Sequence, residues 1–385
     1  MPSIERFEAR VEQALLDDLA VRLRRTRWPR PDPGRTSATG VELDRLRELV
    51  EYWTVGFDWR AAEGRLNRFS QFRAPLSAGR VHFIHERGRG SRPLPLVLTH
   101  GWPGSVFELL DLVPRLTDPG RFGADPADSF DVVAPSLPGY GFSDPPAAPG
   151  MHPGRIAGLW LELMDLLDYD RFGAQGGDWG ASVATRLALA APQRLAGIHL
   201  NYLPGSYRPW LGPEAPPLSA PEMEFLAACE RWSESEGAYA HVQRTRPDTL
   251  AVALADSPVG LAAWMAEKLW GWSGRSPAGA SVLSRDDVLT TVGLYWFTGT
   301  IGSSMRLYHD ASGHPLRLGA GERIRVPTGM ALFPEESPAN PPREWVERGY
   351  DVVRWTAMPR GGHFAAWEEP DLLAAEIRAF FRPFR

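Results

Sequence analysis

Apolar residues recur at helical spacing through Phe7–Arg25 (Val11, Leu15, Leu19, Leu23), and this run ends at Trp28-Pro29. A Pro/Gly-rich linker, Arg30–Gly40, leads to a second amphipathic helix predicted over Val41–Val55. The pattern changes at Leu94–Thr99, a continuous apolar run of the kind carried by a strand buried on both faces. Phe130–Ala134, Arg171–Gln175 and Leu195–Leu200 read as further strands, with a helix over Arg155–Leu167 between the first two of them. From Pro204 to about Glu322 the alternation stops and the chain reads as helix-rich and Trp-rich, an inserted cap. Strands resume at Ile324–Thr328 and Asp351–Thr356, and a helix at Pro370–Phe381 closes the chain. The alternation predicts a doubly wound, mostly parallel sheet in an α/β protein. The organisation expected is a helical leader over 1–90, a first core segment over 91–203, a helical cap over 204–322 and a second core segment over 323–385.

Composition narrows the partners. A net charge of −5 argues against nucleic acid. No apolar stretch approaches the length of a membrane span, and the first residues, MPSIERFEAR, lack the apolar core of a signal peptide. The single cysteine, Cys229, excludes an internal disulfide and fits a reducing compartment, so a cytoplasmic location is expected. Fifteen tryptophans is a high count; some belong to the core, and such an aromatic supply also suits an apolar substrate pocket.

The chemistry concentrates at Gly176-Gly-Asp-Trp-Gly, between a predicted strand and a predicted helix. A small-x-nucleophile-x-Gly turn in that context is the nucleophile elbow of an α/β-hydrolase fold, with Asp178 at the nucleophile position. A carboxylate needs no base to become anionic at neutral pH. It suits attack on saturated carbon bearing a leaving group, as in an epoxide or an alkyl halide, and leaves a histidine free to activate water. The order nucleophile, acid, histidine points to His363 in Arg-Gly-Gly-His-Phe after the last strand. The acid belongs after Ile324–Thr328, where spacing leaves both Glu335 and Glu336 open. The His100-Gly-Trp-Pro-Gly-Ser loop supplies one oxyanion-hole N–H, from Trp102, and the residue after the nucleophile, Trp179, supplies the other. His100 itself reads as a structural hydrogen-bonding residue, and none of the histidines falls in a metal-binding pattern.

HGWPGS, PSLPGYGFSDPP, GGDWG, SPVGLAAW, LYWFTGTIGSS, VPTGMALFP and RGGHFAAWEEP together resemble the microsomal-type epoxide hydrolases over essentially the whole chain. The resemblance implies an α/β-hydrolase fold with a helical cap and leader, Asp178 as nucleophile, His363 as base and Glu336 as its carboxylate partner. It also implies that Tyr239 and Tyr308 in the cap activate the epoxide oxygen, while Tyr202 and Tyr295 read as core residues. An apolar epoxide and water are then the substrates, a vicinal diol the product, and no cofactor or metal is needed. A homodimer is compatible with this picture. The missing N-terminal anchor resembles a soluble bacterial branch with members in natural-product pathways such as those to enediyne antibiotics. Two other readings compete: a haloalkane dehalogenase, with Trp102 and Trp179 as halide ligands, and a non-catalytic ligand receptor on the same scaffold.

Overall fold

The computed structural model describes residues 3–30 and 39–385. The expected linker therefore lies largely outside the described residues. Nine strands form one sheet in the order β1-β2-β3-β5-β4-β6-β7-β8-β9. Its centre is parallel: β4 (Leu94–Thr99), β5 (Phe130–Pro135), β6 (Phe172–Gly176), β7 (Leu195–Leu200), β8 (Ile324–Leu332) and β9 (Tyr350–Ala357). Successive strand residues point to opposite faces. Leu96 and Leu98 of β4 and Val132 and Ala134 of β5 join one apolar cluster, and Val97 and Val133 join the other. One face is covered by α5 (Pro153–Leu166) and α6 (Asp178–Ala190), the other by α4 (Leu112–Thr117) and α15 (Pro370–Phe381).

The first ninety residues differ from expectation. The chain opens not with a helix at Phe7 but with an edge strand, β1 (Glu5–Phe7), and α1 begins only at Gln13 (Gln13–Arg24). After α2 (Leu43–Val55) and α3 (Trp59–Leu66) come two more strands, β2 (Gln71–Leu76) and β3 (Gly79–Glu86); β3 pairs antiparallel with β5, β2 antiparallel with β3, and β1 antiparallel with β2. These strands are masked in the sequence by Pro75 and by His82. The histidine is fully buried in β3, where its ring nitrogens meet Ser136 Oγ and Gln71 Oε1 at 2.9 and 3.0 Å. A polar residue satisfied in this way fits a core strand, yet it interrupts the apolar run that would announce one.

Between β7 and β8 lie six helices: α7 (Ala220–Glu236), α8 (Ala238–Thr245), α9 (Pro247–Asp256), α10 (Pro258–Trp272), α11 (Arg285–Thr298) and α12 (Ile301–Ala311). Ser219 and Ser284 start α7 and α11 with capping boxes, so their first turns are well satisfied. The N-terminal helices hold this layer down. Arg22 of α1 reaches the carboxylate and carbonyl of Asp256, Tyr52 of α2 donates to Asp286 at 2.8 Å, and Arg45 lies 4.0 Å over the Trp270 ring. Two short helices, α13 (Arg343–Glu347) and α14 (Ala365–Glu368), flank β9. No single helix among the described residues is long and apolar enough to cross a membrane.

Candidate active site

The turn between β6 and α6 puts Asp178 at φ 45°, in the left-handed region that side-chain-bearing residues rarely adopt. Packing enforces this strain. A Cβ on Gly180 would stand 1.9 Å from the Thr99 carbonyl oxygen, so only glycine lets α6 start this close to β4. Asp178 is thereby lifted above the sheet at the N-terminus of a 13-residue helix, where a negative charge is favoured. Thr99 pairs with Gly176, so the loop after β4 emerges beside the elbow. The Trp102 N–H donates to Asp178 Oδ1 at 2.8 Å. Among the described residues the Trp179 N–H, the other expected oxyanion donor, makes no hydrogen bond to this carboxylate in the resting site, and the Trp179 ring stands edge-on to Tyr308 at 4.8 Å.

The loop after β9 brings His363 to the elbow. It is fastened at both ends: the His363 N–H donates to the Trp272 carbonyl at 3.0 Å, and the Glu368 carboxylate accepts from the N–H groups of Gly274, Gly362 and Phe364 at 2.8, 2.7 and 2.9 Å. His363 Nδ1 lies 2.6 Å from Glu336 Oε1, so the Nδ1–H donates there and Nε2 is left facing Asp178 Oδ2 at 3.5 Å. Glu336 is buried while Glu335 is exposed, which separates the two acids that spacing left open. Burial alone would lower the His363 pKa. The charges of Glu336 and Asp178 outweigh it and hold the imidazole well above its usual value, so the resting site carries an imidazolium between two carboxylates.

Tyr239 on α8 and Tyr308 on α12 close the site from the cap side, their rings 6.0 Å apart. The Trp102 indole stacks on Tyr239 at 5.4 Å and 10°, and Tyr308 meets the same indole edge-on at 5.9 Å. Burial, then the negative charge of Asp178, raises the Tyr239 pKa above its ordinary value. Tyr308 is raised too, by burial first and then by Tyr239 and Asp178. Both phenols therefore stay protonated and able to donate at neutral pH. Tyr295 is a core residue whose hydroxyl bonds the Gly104 carbonyl at 2.8 Å. Tyr202, also read as a core residue, packs partly buried against the core and sets its ring edge-on to His363 at 5.5 Å. His100 is buried and structural: its Nε2 accepts the Leu137 N–H at 3.1 Å and its Nδ1 lies 3.0 Å from the Gly101 carbonyl. Glu368, which clamps the histidine loop, and Glu108, which lines the same cavity as Asp178, were not singled out by the sequence reading. The position of Glu368 within RGGHFAAWEEP was the one available signal for the first.

The arrangement is an anionic nucleophile with one oxygen held by a backbone N–H, a histidine oriented by a buried glutamate, and two phenols overhead. The comparisons bear on the family of the whole chain. Residues 4–109 match the epoxide hydrolase N-terminus family, and residues 95–228 match the α/β hydrolase fold family. The chain is 44% identical to a relative from Stigmatella aurantiaca over 98% of its own length and 85% of the relative's. It is 36% identical to epoxide hydrolase 1 of Sus scrofa over 98% of this chain and 88% of that protein. The Aspergillus niger epoxide hydrolase structure superposes with a TM-score of 0.86 at 30% identity, covering 100% of this chain and 97% of that one. The chain belongs to the epoxide hydrolases of the α/β-hydrolase fold.

Proposed function

We propose that this hydrolase opens apolar, aryl-bearing epoxides in two steps through a covalent ester on Asp178. The observation that carries the reading is the asymmetry of the Asp178 carboxylate: Oδ1 is held by the Trp102 N–H at 2.8 Å, and Oδ2 faces His363 Nε2 at 3.5 Å. Oδ2 attacks the back of a ring carbon while Tyr239 and Tyr308 donate to the epoxide oxygen. Oδ1 becomes the ester carbonyl. Esterification removes the charge that helps keep His363 protonated, so the imidazolium gives up its Nε2 proton, which neutralises the alkoxide of the opened ring, and the neutral imidazole can act as base. It then takes a proton from the water that attacks the ester carbonyl, a contribution of roughly 10²- to 10⁴-fold. The Trp102 N–H receives the oxyanion. Trp102, Trp179, Trp272 and Tyr202 ring the site together with the two tyrosines, and their faces and edges suit an aryl substituent. Styrene oxide hydrolysis, read as diol, should exceed halide release from a bromoalkane. Bromide release without diol would overturn the reading in favour of dehalogenation.

Replacing Glu336 by Gln should lower turnover by on the order of 10²- to 10⁴-fold, since the acid fixes the tautomer and charge of the base. Glu335→Gln, on an exposed side chain, should leave turnover within about twofold. The reverse ranking in steady-state kinetics would remove Glu336 from the site.

Tyr239→Phe and Tyr308→Phe should each slow ester formation by about 10²-fold, the usual cost of losing one aligned donor. Ester hydrolysis should change little, because by then the former epoxide oxygen is an alcohol. Stopped-flow tryptophan fluorescence resolves the two steps, and a loss confined to hydrolysis would assign the phenols elsewhere.

A further inference from the structure

One carboxyl beside Asp178 has no part in the steps above. Glu108 follows the HGWPGS loop in a short 3₁₀ turn (Val106–Leu109). It lines a small cavity under the nucleophile together with Asp178, His363, Thr99, Gln175 and Asn201. Its carboxyl folds back over the loop: a Cβ on Gly104 would stand 1.9 Å from Glu108 Oε2, so the carboxyl occupies the space that a side chain at 104 would fill. The free space in the cavity, about 20 Å³ for the centre of a water-sized sphere, accommodates one water. His363 borders this cavity, and its buried Nε2 has only the 3.5 Å contact to Asp178 Oδ2 and no well-formed hydrogen bond among the described residues.

We propose that Glu108 holds the hydrolytic water in this cavity, with one water hydrogen on its carboxyl oxygen and the other directed at His363 Nε2, so that the water oxygen faces Asp178 Cγ. The inference rests on the covalent reading and concerns its second step. A lone pair of the water oxygen forms the bond to Cγ, the carbonyl electrons move onto Oδ1, and the proton passes to Nε2. Collapse of the tetrahedral intermediate breaks the bond between Cγ and the alkyl oxygen. The alkoxide takes the proton from His363, and the diol leaves. Glu108 exchanges no proton in this sequence; it fixes the approach of the water, which the histidine alone can orient through only one hydrogen bond.

The charge state suits the task. Burial pushes the Glu108 carboxyl up to about 8; the positive charge of His363 opposes this, Asp178 adds to it, and the Ser105 N–H opposes it again. Tyr295, whose hydroxyl bonds the Gly104 carbonyl, is itself held protonated, by burial first. At neutral pH Glu108 is thus an uncharged acid, able to accept from the water without opposing the oxyanion that develops on Asp178.

The test separates the two steps in Glu108→Gln and Glu108→Leu with an aryl epoxide as probe, by stopped-flow fluorescence and intact-protein mass. Ester should form within about threefold of the wild-type rate in both variants. Its hydrolysis should fall on the order of 10- to 10²-fold in the leucine variant and stay within about fivefold in the glutamine variant, which keeps an acceptor oxygen. The glutamine variant also gives a readout that does not need the leucine variant to fold. In the ester both the His363 and the Asp178 charges are gone and burial still holds Glu108 protonated, so the wild-type hydrolysis step should decline only at alkaline pH, as Glu108 ionises, and that decline should vanish when residue 108 cannot ionise. Ester hydrolysis at the wild-type rate in the leucine variant, equal losses in both steps, or parallel pH profiles would each overturn the role of Glu108. Absence of ester in every form, wild type included, would instead contradict the covalent reading itself.

Discussion

Asp178→Asn should lose diol formation by on the order of 10⁴- to 10⁶-fold, the range seen when a member of a catalytic triad is removed. An amide is a poor nucleophile, and Tyr239 and Tyr308 can polarise the epoxide but offer no anion to open it. The fold should survive, because the asparagine keeps the shape of the side chain and Asn tolerates the left-handed backbone of the elbow, φ 45°. The measurement is initial diol rate on freshly purified protein with its thermal unfolding checked beside it. A folded variant turning over near the wild-type rate would contradict nucleophilic attack by this residue. Slow recovery on storage would not, since hydrolysis of the amide regenerates the aspartate.

His363→Gln should divide the reaction. Asp178 is already an anion and needs no base, so ester formation should proceed. Hydrolysis should slow by roughly 10²- to 10⁴-fold, the contribution of a general base. The ester should therefore accumulate, and intact-protein mass spectrometry should show one added substrate mass on the peptide that carries Asp178. Removing the imidazole also removes the cation that sits between Glu336 and Asp178. Glutamine preserves a hydrogen-bonding side chain there, which makes it a gentler replacement than alanine for two buried or half-buried carboxylates. No adduct, combined with complete loss of turnover, would mean that the histidine is required before the carbon–oxygen bond of the epoxide breaks.

How far the sequence alone reaches differs from element to element. The runs at Leu94–Thr99 and Leu195–Leu200 announced β4 and β7 to the residue, because strands buried on both faces carry unbroken apolar sequence. The strands β1 to β3 at one end of the sheet carry Arg73, Pro75 and His82 among their apolar residues, and β1 and β3 pair with strands distant in the chain. The elbow was legible because the glycines around Asp178 answer a local steric demand that any chain making this turn must meet. The choice between Glu335 and Glu336 was not, since it depends on which way the loop after β8 turns relative to a histidine 27 residues on. Tyr239 and Tyr308 came from resemblance alone: α8 and α12 carry them over Asp178 only once the cap has packed on the sheet. The second oxyanion donor, Trp179, followed from the general rule for this fold, and the carboxylate in the resting site takes no hydrogen bond from it. Glu108 carries no local signature, because its significance lies in a cavity assembled from β4, β6 and the histidine loop.

The central claim is that one diol oxygen comes from the protein. A single turnover of excess wild-type enzyme in ¹⁸O-water tests it most directly. The account predicts label in the side-chain carboxylate of Asp178, located by peptide mass spectrometry, and unlabelled diol from that first turnover. Label in the diol with none in Asp178 would mean that water opens the epoxide directly and that the carboxylate acts only through its charge.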